Sequence, residues 1–293
     1  MADLRAYVAN CLIGGHTITQ NANSWSRNIV KFECAGREFI FTQHENVVTN
    51  YRQFKGQFCE TSEVVVKNVQ PDDVGKILEV LDRICWLLSF ASLSSVICYG
   101  HDYPDGSAFG HRKSVIGIAN FFRPTINIRD GGTIKSFVEQ AYAGYTQNEK
   151  PRKLNVVIDY LVQAEHPNQP TELKLILAFI LLENLKDTFA RSKSIPHIKG
   201  YFRKQPRPNG QKYGFEELLH MMLREVGMRK GLKRIVKLRN EIIHSGLSRK
   251  PHRWQWIMYE NIHDIIREYI LRFIDYHGTY LTYSSASRVE VTV

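Results

Sequence analysis

The sequence predicts an α+β chain: a small β-rich N-terminal unit followed by a predominantly α-helical bundle. Three observations predict it. Up to about Asn68 apolar residues alternate with polar ones; at Pro71 the period lengthens to that of a helix; and from Thr133 almost to the end the pattern stays helical. With 293 residues and 43% hydrophobic content, the chain supports a sizeable core.

Taken in order, AYVANCLI, NIVKFECA, REFIFTQHE and SEVVVKNV are rich in β-branched and aromatic residues and are separated by Gly, Asn and Ser, which marks strands within a unit spanning residues 1–70. PDDVGKILEVLDRICWLLSFAS then opens with acidic residues behind a proline and sets Val74, Ile77, Leu78, Leu81, Ile84, Leu87 and Leu88 at helical spacing. SSVICYGHDYPDGSAFGHRKSVIGIANFF reads as two strands joined through Pro104, Asp105 and Gly106. With the helix before it and a connecting helix after it, this pair makes a middle unit, residues 71–149. His101, Asp102 and His111 flank the turn and are read as hairpin residues rather than metal ligands, since no further His or acidic cluster stands at ligand spacing. GGTIKS lacks the spacing of a phosphate loop, so Thr133 is read as a helix cap.

The remainder, residues 150–293, reads as the bundle. Candidate helices lie at roughly 133–146, 151–165, 171–191, 214–227, 230–245 and 253–278, and YLTYSSASRVEVTV closes with a strand. TELKLILAFILLENLKDTFAR is apolar on nearly all sides, the mark of a central helix. Glu183 and Lys186 sit within it, either paired in the core or presented to a site.

The five cysteines are widely spaced with no Cys-x-x-Cys pair, so neither a disulfide framework nor a zinc site is suggested. No stretch reads as a signal peptide, and the longest run free of charged residues and histidine, Ile84 to Gly100, falls short of the roughly 20 residues a membrane helix needs. A cytoplasmic protein with no membrane partner, no metal and no cofactor is expected.

The formal charge of +10 is unevenly placed: Arg191 to Arg253 holds 17 Lys or Arg against 4 Asp or Glu, an excess of +13 that leaves −3 elsewhere. Clustered positive charge of this size suits a polyphosphate partner. Within it, KSIPHIKGYFRKQPRPNGQKYG has three prolines and no period. Its Tyr201, Arg203, Lys204, Arg207 and Lys212, with Lys233 and Lys237 beyond, mix aromatics and cations in the way that stacking and phosphate neutralisation on single-stranded RNA require.

VKLRNEIIHSGL carries the candidate chemistry. Ile235, Val236, Leu238, Ile242 and Ile243 form one apolar stripe, and Arg239 falls inside it, where a guanidinium needs a partner or a subunit interface. Asn240 and His244 share a face, whereas Arg239 and His244 stand about 140° apart on an ideal helix. Two arrangements would let them converge: a helix that loosens before Ser245-Gly246, or two copies facing each other across a dimer. Cleaving RNA without a metal needs a proton-exchanging group near neutrality and a fixed cation at the phosphorane oxygens; His244 and Arg239 are those types, with Asn240 to orient phosphate or imidazole.

LRNEIIHSG, with LAFILLENL upstream and IMYENIHDIIREYILRFIDYHG downstream, resembles the HEPN (higher eukaryotes and prokaryotes nucleotide-binding) domain over about Lys150 to Gly278. That family is marked by an Arg, usually followed by Asn, Asp or His, with a His four to six residues after the Arg; Arg239, Asn240 and His244 match it. The resemblance implies a HEPN-type bundle that forms a homodimer with a composite, metal-independent endoribonuclease site at the shared face. It also implies a defence or toxin role answering to a trigger or regulatory partner. The layout, a β-rich front before the bundle, is similar to the ApeA-like antiphage group. Gly246 stands where members inactivated by adenylylation carry a tyrosine, so that control is not expected here.

Overall fold

The computed structural model describes residues 1–21, 24–110, 118–120, 123–246, 248–284 and 289–293. The chain is α+β. Its front is a seven-stranded antiparallel sheet built from β1 (Ala2–Ala9), β2 (Thr17–Asn21), β3 (Ser24–Cys34), β4 (Arg37–Gln43), β5 (Glu60–Val69), β6 (Ile97–Tyr103) and β7 (Gly106–Phe109). The order is β2-β3-β4-β5-β1-β6-β7. Alternation decides which side faces inward. Leu4, Ala6 and Val8 of β1, Phe39 and Phe41 of β4, and Val64 and Val66 of β5 all point into one core. Helices α2 (Val74–Ser92) and α3 (Gly131–Arg152) cover that face.

A short helix, α1 (Glu45–Asn50), and a 3-10 turn at Tyr51–Phe54 join β4 to β5; neither is expected from the sequence. More consequential is β6. It pairs with β1, Arg5 opposite Asp102 and Ala6 opposite His101, so the strands expected in a middle unit lie in the same sheet as residues 1–70. α2 is the connection between β5 and β6. The part of the expected second strand at 111–117, with His111, lies outside the described residues. Asp102 accepts a hydrogen bond from the Tyr7 hydroxyl at 2.6 Å across the sheet.

Helix α3 is capped by Asp130, not by Thr133. The Asp130 carboxylate accepts from the Gly132 amide at 3.0 Å and from the Thr133 hydroxyl at 2.6 Å, so Thr133 supports the cap instead of making it.

The helical body continues with α4 (Leu154–Ala164), α5 (Thr171–Ser192), α6 (Phe215–Glu225), α7 (Lys233–Ser245) and α8 (His252–Phe273), then a hairpin of β10 (Thr279–Thr282) and β11 (Val289–Thr292). α5 touches α3, α4, α6, α7 and α8, which is why its sequence is apolar nearly all round. The segment between α5 and α6 is ordered by a two-residue ladder, β8 (His197–Ile198) with β9 (Tyr201–Phe202), and a bridge from Arg203 to Lys212. All five cysteines are buried and none forms a disulfide. No helix among the described residues is long and apolar enough to cross a membrane.

Buried charge ties these pieces together. Glu165, at the end of α4, and His263 and Arg267 of α8 are wholly buried, with His263 Nδ1 and Arg267 Nη2 each 3.1 Å from Glu165 Oε1. Burial alone would raise the Glu165 carboxyl, but His263 and the Arg267 and Arg123 guanidiniums outweigh it and hold Glu165 well below the usual carboxylate range. Burial pulls His263 below its ordinary value, leaving it neutral at pH 7. Arg152 is a second tie: its guanidinium reaches the Tyr269 hydroxyl, Ser192 Oγ at 3.0 Å and Glu225 at 3.3 Å, linking α3, α5, α6 and α8.

Both depressed groups bind protons more readily unfolded than folded, so stability falls with acid. The His263 contribution is lost as pH drops below about 6.5, and that of Glu165 as pH drops below about 4.3. Replacing Glu165 with Gln leaves Arg267 buried with Asp264, 3.3 Å from its Nη1, as its remaining carboxylate, and is expected to cost up to roughly 3 kcal/mol at pH 7, read from urea unfolding. The same variant flattens the acid limb below pH ~4.3. An unaltered limb would show that Glu165 is not ionised in the fold.

Candidate active site

α7 places the motif residues. Leu232 precedes the helix without a side-chain cap, Ile235, Leu238 and Ile242 are buried, and Gly246 ends the helix in the left-handed conformation at φ +72°. Its amide bonds the Ile242 carbonyl at 2.7 Å, and Ser245 Oγ bonds the Glu241 carbonyl at 2.6 Å. The helix therefore stays regular through Ser245. The buried stripe is narrower than its sequence suggests: Val236 is half-buried and Ile243 is 48% exposed.

Arg239 lies at the edge of that stripe with 24% of its side chain exposed, and its charge is answered inside the same chain. Nη2 donates to Glu183 Oε1 of α5 at 2.5 Å, and Nη1 donates to Asn240 Oδ1 at 3.0 Å. The guanidinium also lies 4.8 Å from the ring centroid of Phe215, the first residue of α6. Lys186 bonds the other Glu183 oxygen, Oε2, and its Nζ sits 5.2 Å from the same ring. Glu183, Lys186, Arg239 and Asn240, far apart in sequence, are thus one cluster. Phe215 is the member that sequence reasoning missed; an aromatic at the first position of a helix gives no signal by itself.

His244 is on the far flank, exposed, with no hydrogen bond or ion pair among the described residues. Regular helix geometry keeps it about 140° from Arg239. Loosening of the helix is therefore ruled out as the means of convergence, and within one copy Arg239 and His244 do not face a common point.

The residues expected to hold RNA divide in two. Tyr201 is exposed, with Lys212 Nζ 3.3 Å from its ring centroid, and Lys233 and Lys237 are exposed on α7 with no ion pair among the described residues. Arg207 is exposed and bonds Gln205 at 2.7 Å. Arg203, by contrast, is buried and donates to the carbonyls of Gly210 at 2.7 Å and Ile198 at 3.3 Å. It holds the loop and is not presented to a ligand. Lys204 is engaged by Glu217 at 2.6 Å. The α6–α7 turn adds an open cleft of about 780 Å³ lined by His220, Arg224, Arg229 and Lys230. Those cations are visible in the sequence only as part of the local charge excess, because which of them share a cleft depends on the turn.

No group of three or more His, Cys, Asp and Glu among the described residues is placed to hold a metal ion. Comparison with family models, curated proteins and solved structures finds no match for this chain.

Since Lys186 also neutralises Glu183, removing the Arg239 charge leaves no carboxylate unpaired. Arg239→Met, which keeps the stem against Phe215, is expected to change stability by less than about 1 kcal/mol in urea unfolding. A loss of several kcal/mol would mean that the arginine is needed to build the fold.

Proposed function

We propose that the protein is a metal-independent RNA endonuclease that acts as a homodimer, with a role in antiphage defence or as a toxin. The observation that carries this reading is the state of α7. Arg239 and Asn240 are already hydrogen-bonded to each other, while His244 on the same helix is exposed and uncommitted. The resemblance of LRNEIIHSG to the HEPN motif supplies the reaction class.

Because Arg239 and His244 diverge on one helix, the competent site pairs Arg239 of one copy with His244 of the other. Ile243 of α7 and Leu173 and Ile180 of α5 are exposed apolar residues on the helices that carry the cluster, as a shared face requires. In the reaction, the His244 imidazole accepts the proton of the substrate 2′-hydroxyl as that oxygen attacks the adjacent phosphorus. The bond to the 5′-oxygen breaks, and the imidazolium returns the proton to it. Arg239 stabilises the charge that builds on the phosphorane oxygens. The products are a 2′,3′-cyclic phosphate and a 5′-hydroxyl. DNA, lacking the 2′-hydroxyl, is not cut by this route.

One observation favours a second reading, a catalytically inactive RNA-binding protein: Arg239 is bonded to Glu183, so its charge is partly committed before any substrate arrives. Incubation of wild-type and His244→Ala protein with defined RNAs in EDTA separates the two. Under the first reading wild-type protein cleaves to cyclic phosphate ends, and the variant loses at least ~100-fold in rate, as removal of a general base does, while keeping its RNA affinity. Binding by both proteins with cleavage by neither supports the second reading. Products ending in 3′-hydroxyls would sink the mechanism.

A further inference from the structure

Away from α7, two adjoining clefts of about 280 and 340 Å³ share Leu12, Tyr51 and Arg129 as walls. Their floor is a tight crossing of backbones. A Cβ on Gly14 would lie 2.0 Å from the Arg129 carbonyl oxygen, and one on Gly131 2.5 Å from the Gly15 carbonyl carbon, so glycine is required where the β1–β2 connection meets the start of α3. Hydrogen bonds from the Gly14 amide to the Ile128 carbonyl at 2.6 Å and from the Gly15 amide to the Arg27 carbonyl at 3.0 Å lock the crossing.

The walls are cationic. Arg27 and Arg129 line the clefts and Arg52 stands at their edge, none with a carboxylate partner among the described residues. Arg129 Nη2 and Arg52 Nε converge on the Tyr51 hydroxyl at 2.7 and 3.4 Å, and hydrogen bonding from Arg52, then Arg129, holds that hydroxyl below its ordinary value. The one acid in the walls, Asp130, is occupied as the α3 cap.

Arg123 points the same way independently. It lines the smaller cleft, its side chain is only 7% exposed, and none of Nε, Nη1 and Nη2 has a hydrogen-bond partner among the described residues. Its Nη2 is ion-paired with Glu260 at 3.6 Å. Ring contacts with Tyr283 at 4.7 Å and Trp256 at 5.2 Å hold Arg123 beside that ion pair. Glu260 answers the charge without taking a hydrogen bond, so the buried guanidinium adds positive potential to the cleft wall.

We propose that these clefts bind a phosphate-bearing small molecule, with the exposed Arg27 and Arg129 donating to its phosphate oxygens, Arg123 adding positive potential from behind the wall, and Tyr51 and Tyr283 flanking its remainder. Arginine suits the role because its planar donors match phosphate oxygens in pairs. The clefts' size fits a small ligand. The ligand would touch the sheet side through Leu12 and Tyr51 and, through Arg123, the helix α8 against which that arginine packs. The proposal does not rest on RNA cleavage.

Isothermal titration and thermal unfolding of the full chain with inorganic phosphate, AMP and adenosine, at fixed ionic strength with sodium chloride as control, test it. Saturable binding of phosphate or AMP, absent for adenosine and weakened at least ten-fold in Arg129→Gln and Arg27→Gln, is the expected result. Both replaced residues are exposed, so the variants fold. Phosphate binding without gain for AMP identifies the free anion as ligand, and tighter AMP binding identifies a larger phosphorylated molecule. Arg229→Gln, in the cleft at the α6–α7 turn, leaves the affinity unchanged. No saturable binding of either probe, equal affinity in Arg129→Gln, or loss in Arg229→Gln instead would overturn the proposal.

Discussion

The buried carboxylate of Glu165 is the interaction on which the helical body depends. It stands at the end of α4, wholly enclosed, and two side chains of α8 reach it within 3.1 Å. A charge so placed tolerates little displacement, because each added fraction of an ångström leaves a guanidinium less compensated in a medium of low dielectric. The constraint therefore fixes the register of α8 against α4. It extends to the segment before α3: Asn120 donates to the Glu165 carbonyl at 3.1 Å, and Arg267 contacts the Arg123 carbonyl at 3.4 Å. Asp264 of the same α8 face accepts from the amides of Tyr283 and Ser284, seating the end of β10. One buried anion thus organises parts of the chain that begin more than a hundred residues apart.

The positive excess between Arg191 and Arg253 is less available than its sum suggests. Lys193 pairs with Glu225, Lys204 with Glu217, Lys230 with Glu268 and Arg239 with Glu183. Those at least partly exposed pairs add little to stability, but each fixes a side chain and spends a donor. The exposed cations with no ion pair among the described residues are spread over the loop before α6 (Lys199, Arg207, Lys212), the α6–α7 turn and α7 (Arg224, Arg229, Lys233, Arg234, Lys237) and the segment after α7 (Arg249, Lys250, Arg253). For the proposed RNA partner, attraction would thus extend along α7 and the segments that flank it, while Arg203 works as a brace in the loop before α6.

The arginine in the apolar stripe has two sufficient explanations that need not compete. Inside one chain, Glu183 and the face of Phe215 make its position tenable. Between two chains, the same edge of α7, with Ile243 exposed beside it, is where the proposed composite site would form. In the proposed dimer the intrachain cluster would then position the guanidinium, with His244 supplied by the other copy.

The sequence by itself determined the α+β class, the switch of period at Pro71, the central place of α5 and the end of α7 at Gly246, because periodicity and local turn chemistry are properties of neighbouring residues. It also flagged Glu183, Lys186, Arg239, Asn240 and His244 as residues needing an account. Tertiary structure alone decided the rest. That β6 joins β1 in one sheet is a long-range pairing, and alternation shows that a strand has a buried face without naming its neighbour. That Asp130 and not Thr133 caps α3 turned on which oxygen reaches the free amide. The partnership of Glu183 with Arg239, and the burial of Arg123 and Arg203, depend on which helices and loops come to lie side by side. That follows from packing summed over the whole core, which no short stretch of sequence contains.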